Sequence, residues 1–225
     1  MTPAAVRTFA AAGLTLLPAT AAGREQLHLT VQLYDVAGLP NGVLHAAWAE
    51  ASRMLRTVPV PFQAVECNPP AGASPEPCRR SGPAFLSVRV IKTALPGVTA
   101  DALGLTTRSD DGESAAAVFY DRAIALRQHG IYLPQILGRA MAHEICHMLL
   151  PPGSHAGYGL MLGHWSAADL RTGNLRQEGL PNWVLATIRA EFRRRTLVSE
   201  AQHHPEEGGG FRRSNFRAMK YLRPN

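Results

Sequence analysis

The stretch from Leu133 to Leu150 constrains this chain more than any other part of it. Ile136, Leu137, Ala140, Met141, Ile145, Met148 and Leu149 recur at helical spacing and predict a helix with a broad apolar side. Pro151-Pro152-Gly153 must stop it, because proline lacks the amide donor and clashes with the preceding turn. The same helix carries His143, Glu144 and His147. Four residues turn about 400°, so the two imidazoles leave one face within about 6 Å along the axis. That spacing suits two ligands of one tetrahedral Zn²⁺. Glu144 follows the first histidine and cannot readily ligate the same ion, but it can reach a water held there and act as general base.

A catalytic zinc site usually takes three protein ligands and keeps one position open. His155 follows eight residues after His147, beyond the Pro-Pro-Gly break, and a returning loop can bring it to the ion. His164 is the rival third ligand. A helix with two surface histidines and an exposed glutamate would show the same three letters. The strongly apolar remainder of the helix, and the break and later histidine in that order, favour a metal site. His28, His45 and His129 have no partner spacing and read as structural or solvated, while His203 and His204 lie in a polar tail.

The rest of the chain supplies a scaffold. At 225 residues and 46% hydrophobic composition it can bury a core, which excludes a wholly disordered chain, and the length suggests one domain with appendages. Leu27 to Tyr34 alternates like a half-buried strand, and 59–67 is a second strand that Pro59 and Pro61 place at an edge. Ala84 to Ile91 and Ala115 to Tyr120 are two more strands, separated by a polar connection over 96–113. Val43 to Arg56 and Pro181 to Leu197 read as amphipathic helices, 121–129 as a short helical turn, and Ser166 with Asp169 as a helix start. No apolar run of about 18 residues occurs, so no transmembrane helix is expected.

Charge is uneven. From Arg189 onward nine basic residues stand against four acidic ones, a net of +5 out of +6 for the whole chain. The high isoelectric point therefore belongs to the C-terminal end, and no nucleic-acid partner is expected. Residues 199–225 read as a disordered basic tail. At the other end, Arg7, an Ala- and Leu-rich run, Pro18 and Ala19-Thr20-Ala21 resemble a secretory signal over 1–22; the alternative is a frayed Ala-rich helix. Cys67 and Cys78 flank a Pro- and Gly-rich loop and predict a disulfide, in keeping with export, whereas Cys146 sits inside the apolar helix as a core thiol.

These residues resemble the metzincin side of the zincin metallopeptidases, and most of all a group of uncharacterised exported bacterial proteins of that type. His143, Glu144, His147 and His155 match the ligand and base positions. Gly159-Leu160-Met161-Leu162 looks like the Met-turn, with Met161 as its methionine, and Trp165 matches a tryptophan that follows it. The chain departs in spacing, with eight residues where metzincins have six between second and third histidine, and in having Pro151-Pro152-Gly153 for a single glycine. The resemblance spans about Leu27 to Arg195. It implies an α+β zincin fold over 23–198, with a small mixed sheet, mostly antiparallel-edged, a backing helix and the HExxH active-site helix. It also implies a Zn²⁺-dependent peptidase, an endopeptidase rather than an exopeptidase, acting on peptide or protein substrate; the chain is expected to be a monomer. Tyr158 is a candidate transition-state donor by proximity alone. Two other readings stay open: an exported zinc-binding module without catalysis, and an envelope-associated protein that binds through its basic C-terminus.

Overall fold

Alternation of apolar residues along the strands leaves one face of a sheet needing cover. Leu29, Val31, Leu33, Leu86, Val88, Val90, Ala116 and Val118 are all buried on that face. The structure, a computed structural model, describes residues 28–67, 75–109, 113–172 and 179–203. The expected signal over 1–22 and the tail beyond 203 lie outside the described residues.

Five strands form a mixed sheet: β1 (Leu29–Asp35), β2 (Phe62–Glu66), β3 (Phe85–Ile91), β4 (Gly104–Arg108) and β5 (Ser114–Phe119). Their order is β2-β1-β3-β5-β4. The first four in that order run parallel, and β4 joins β5 antiparallel with Thr106 opposite Ala116. Thus β2 lies at an edge, as Pro59 and Pro61 predict. The opposite edge is β4, inside the segment read as a polar connection. Its short Gly-Leu-Thr-Thr-Arg sequence carries too little apolar surface to stand out, because only one of its sides is paired.

The helices are α1 (Val43–Leu55), α2 (Tyr120–Arg127), α3 (Leu133–Leu149), α4 (Ala167–Thr172) and α5 (Asn182–His203). The chain is therefore α+β. Helix α3 occupies the centre: Ile136, Leu137, Met141, Ile145, Met148 and Leu149 are essentially inaccessible. Each such side chain stabilises the fold by about 2 kcal/mol relative to exposure. Helix α1 meets α3 at Gly138, where an added Cβ would lie 2.3 Å from the Ala47 carbonyl oxygen. Only glycine permits that approach. Beside it the buried Arg139 Nε donates to Glu50 Oε1 at 3.0 Å, a charge pair shared between the two helices.

Two ends of helices behave as their sequences require. Ser166 and Asp169 cap α4 reciprocally, the Ser166 amide donating to Asp169 Oδ2 at 2.8 Å and the Asp169 amide to Ser166 Oγ at 3.2 Å. Helix α5 runs on past Leu197 to His203, so 199–203, read as the start of the tail, is helical. Its Arg195 is fully buried, donating to Glu191 Oε1, the Pro83 and Met148 carbonyls and Ser114 Oγ at 2.8–3.1 Å. The Cys67–Cys78 disulfide is formed and Cys146 is free and buried. Among the described residues no helix is long and apolar enough to cross a membrane.

Candidate metal centre

The two histidines of α3 project from one face, as four-residue spacing dictates. His143 Nε2 and His147 Nε2 lie 2.9 Å apart. After Leu149 the helix stops, and Arg108 of β4 donates to the carbonyls of Met148 and Leu150 at 2.6 and 3.1 Å, fixing the exit. The loop then returns His155, whose Nε2 lies 3.2 Å from that of His147. One ligand atom from each of the three rings falls within 4.8 Å of the others. They form the one such metal-ligating group among the described residues.

Local chemistry prepares these rings as ligands. His143 Nδ1 lies 2.7 Å from the Leu160 carbonyl oxygen. A carbonyl only accepts, so Nδ1 carries the hydrogen and Nε2 presents its lone pair. Burial lowers the His143 imidazole to about 3, with the neighbouring His147 and His155 adding to the shift and the Leu160 bond opposing it. Burial, and then His155, lowers His147 to about 4. Both rings are neutral at physiological pH and need lose no proton to bind a cation.

Leu160 belongs to the turn Gly159–Met161, in which Met161 is fully buried. The turn is closed by the Ala156 amide donating to the Met161 carbonyl at 2.7 Å. The segment read as a Met-turn therefore sits against α3 and supplies the carbonyl that orients His143. Trp165 packs edge-on against His143, with ring centroids 5.0 Å apart.

Glu144 reaches toward β4. It is buried, and the Thr106 hydroxyl lies 2.7 Å from its Oε2. Burial raises its carboxyl to about 7, against the opposing effect of Thr106. Gly104 makes room for it: a Cβ there would lie 2.7 Å from both Glu144 Cγ and Oε1. Neither Gly104 nor Thr106 was legible as a site residue, since both lie in the unrecognised edge strand. The β-branched pair Thr106-Thr107 after Leu105 was the available signal.

A cavity of about 640 Å³ opens over this group, lined by β4 on one side and by the His155 loop and Leu162–Trp165 on the other. His164 lines it but stands apart from the three ligands, its Nδ1 2.6 Å from Asp101 Oδ2. Tyr158 is exposed and does not line the cavity. The chain matches no protein-family model, and a search of curated proteins finds no match either.

Proposed function

We propose that the protein is an exported bacterial zinc-dependent peptidase of zincin type. The observation that carries this reading is the convergence of His143, His147 and His155 with a buried carboxylate, Glu144, next in sequence to the first of them. Zinc bound tetrahedrally at about 2.0–2.1 Å from imidazole nitrogens holds those nitrogens about 3.3 Å apart. The observed 2.9 and 3.2 Å separations are within a few tenths of an ångström of that requirement. An all-imidazole set suits zinc better than it suits calcium or magnesium.

Zinc held there supplies a Lewis acid for a substrate carbonyl and lowers the pKa of water toward about 7. The chain does the rest. The outer edge of β4 faces the cavity without a strand partner among the described residues, so an extended peptide can add to it through backbone hydrogen bonds. Glu144 takes a proton from the attacking water and returns it to the leaving nitrogen.

Metal analysis tests the ligand set. Purified wild-type protein should carry about one zinc per chain, and His147→Ala should lose it. His155→Ala should weaken binding more than His164→Ala. Equal zinc content in wild type and His147→Ala contradicts the reading.

A further inference from the structure

We propose that the sheet face turned away from α3 carries a second binding site, which takes an extended acidic peptide segment of a partner protein. This site stands apart from the peptidase reading, since none of its residues belongs to the three-histidine group or is Glu144.

Strand register builds the floor. Val88, Ala116 and Thr106 stand side by side, and Thr106 reaches α3 at Glu144. Side chains alternate along strands, so Ser87, Ala115 and Thr107 form a row on the opposite face, with Gln32 beside Ser87. Phe85 and Arg89 flank Ser87 on that same face. Ser87 and Ala115 are small, and a cavity of about 390 Å³ lies over them. The turn Glu76–Arg79 forms one wall. Gln32 Nε2 donates to the Pro77 and Arg80 carbonyls at 2.6 and 2.7 Å, and the Tyr34 hydroxyl donates to the Cys78 carbonyl at 3.3 Å. With the Cys67–Cys78 disulfide, these bonds fix the wall against β1 before any ligand arrives.

The groove is positively charged. Arg79, Arg80 and Arg89 line it against one carboxylate, Glu113. The Arg89 guanidinium lies 5.0 Å from the Tyr34 ring centroid, and that of Arg80 lies 5.1 Å from the Phe85 ring centroid. Stacking on a ring steadies the planar fork and leaves its N–H edges for an acceptor. Arg80 also meets Glu76 at 3.7 Å, whereas Arg79 and Arg89 form no ion pair among the described residues. On the strand between the two stacks, the Ser87 hydroxyl oxygen is buried without a hydrogen-bond partner. A carboxylate seated there accepts from that hydroxyl and from a guanidinium fork.

The groove favours a peptide over other polyanions. A nucleic acid held without base readout needs aromatic faces for stacking. Here the Tyr34 and Phe85 rings are each taken by a guanidinium. Phe85 and Arg89 stand four residues apart on one strand, about 13 Å. An extended peptide presents alternate side chains to one face with the same repeat, so two of its carboxylates four residues apart match the two stacked guanidiniums. Glu113, at the start of β5, disfavours a further acidic side chain at that side of the groove.

The test is fluorescence anisotropy of the full chain, disulfide intact, with a labelled peptide that alternates Glu and Thr. The wild type should bind it and should not bind the same peptide with Gln for Glu. Arg79→Gln and Arg89→Gln should each weaken binding about threefold, and the double variant about tenfold. Ser87→Ala should weaken it about threefold. Glu113→Gln should tighten it about twofold, a gain that misfolding cannot produce. Arg193→Gln, an exposed arginine of α5, should change nothing. No binding by the wild type overturns the inference. Wild-type affinity in the double variant does so too, because the peptide then sits elsewhere, as on the basic C-terminal residues. Weaker binding in Glu113→Gln contradicts the charge argument. A sulfated oligosaccharide or an oligonucleotide of equal charge that binds more tightly, and needs Arg79 and Arg89, assigns the groove to another polymer and overturns the peptide. Displacement of the peptide by inorganic phosphate at equal charge concentration reduces the groove to a small-oxyanion site and overturns it as well.

Discussion

Thr106 reaches from the edge strand to α3 and places its hydroxyl 2.7 Å from Glu144 Oε2 and 3.1 Å from the Glu144 carbonyl oxygen. One side chain thus ties β4 to the helix at the residue assigned as base. A hydroxyl donor favours the charged carboxylate, and burial disfavours it. Thr106→Val should therefore push the Glu144 carboxyl of the metal-free protein above its value of about 7. Carboxyl-carbon NMR titration measures this, and a shift toward lower pH would contradict it.

Gly104→Ala should disturb the base without touching a metal ligand. The new Cβ would meet Glu144 Cγ at 2.7 Å and the Ala117 carbonyl oxygen at 2.9 Å, and the backbone cannot give way cheaply. Hydrolysis should fall by at least about tenfold while zinc content is kept, because displacement of about 1 Å at a reacting group is that costly or more. Unchanged activity would show that Glu144 has freedom the packing denies it.

Arg195 is the largest fully buried side chain among the described residues and serves four acceptors from four parts of the chain. Arg195→Met should destabilise the fold by about 3 kcal/mol at pH 7, since buried acceptors lose their donor. Burial raises the Glu191 carboxyl, but its bonds to Arg194 and Arg195 prevail and hold it below the usual carboxylate range. A group depressed on folding contributes stability above its unfolded pKa and loses it as pH falls through the folded value. The deficit of Arg195→Met, measured by denaturant unfolding, should therefore be full at neutral pH and shrink below about pH 4. A deficit independent of pH would contradict the ion-pair assignment.

The disulfide and the third cysteine should be separable chemically. Burial, and then the charge of Glu144, pushes the Cys146 thiol up to about 12, so it should resist alkylation in the folded protein. Reducing Cys67–Cys78 should lower stability by about 3 kcal/mol in the chain-entropy account. Alkylation of Cys146 before unfolding, followed by mass spectrometry, would show that the α3 core opens.

The parts of this molecule legible in its sequence are those where one residue pattern has one physical outcome. The apolar stripe of α3, its Pro-Pro-Gly stop and the four-residue histidine spacing read directly, and the structure brings His155 to the pair. The Cys loop and the Ser166 cap read in the same way. Strand β4 did not, because an edge strand buries little and its Thr-rich sequence looks like a loop. With it went Gly104 and Thr106, whose roles come from contact with a helix forty residues away in sequence. Arg195 was hidden for a similar reason: its sequence neighbours are exposed arginines, and only tertiary packing separates it from them. His164 reads in the sequence only as a rival metal ligand, because its partner Asp101 lies 63 residues distant.

Hydrolysis of a diverse peptide library by the zinc-loaded protein, set beside Glu144→Gln at equal zinc content, tests the central claim most directly. The amide keeps the shape of the carboxyl but cannot take a proton from water. Wild type should cleave, and the variant should be slower by at least about 10²- to 10⁴-fold. Equal cleavage by the two proteins, or none by the fully zinc-loaded wild type, would contradict the account.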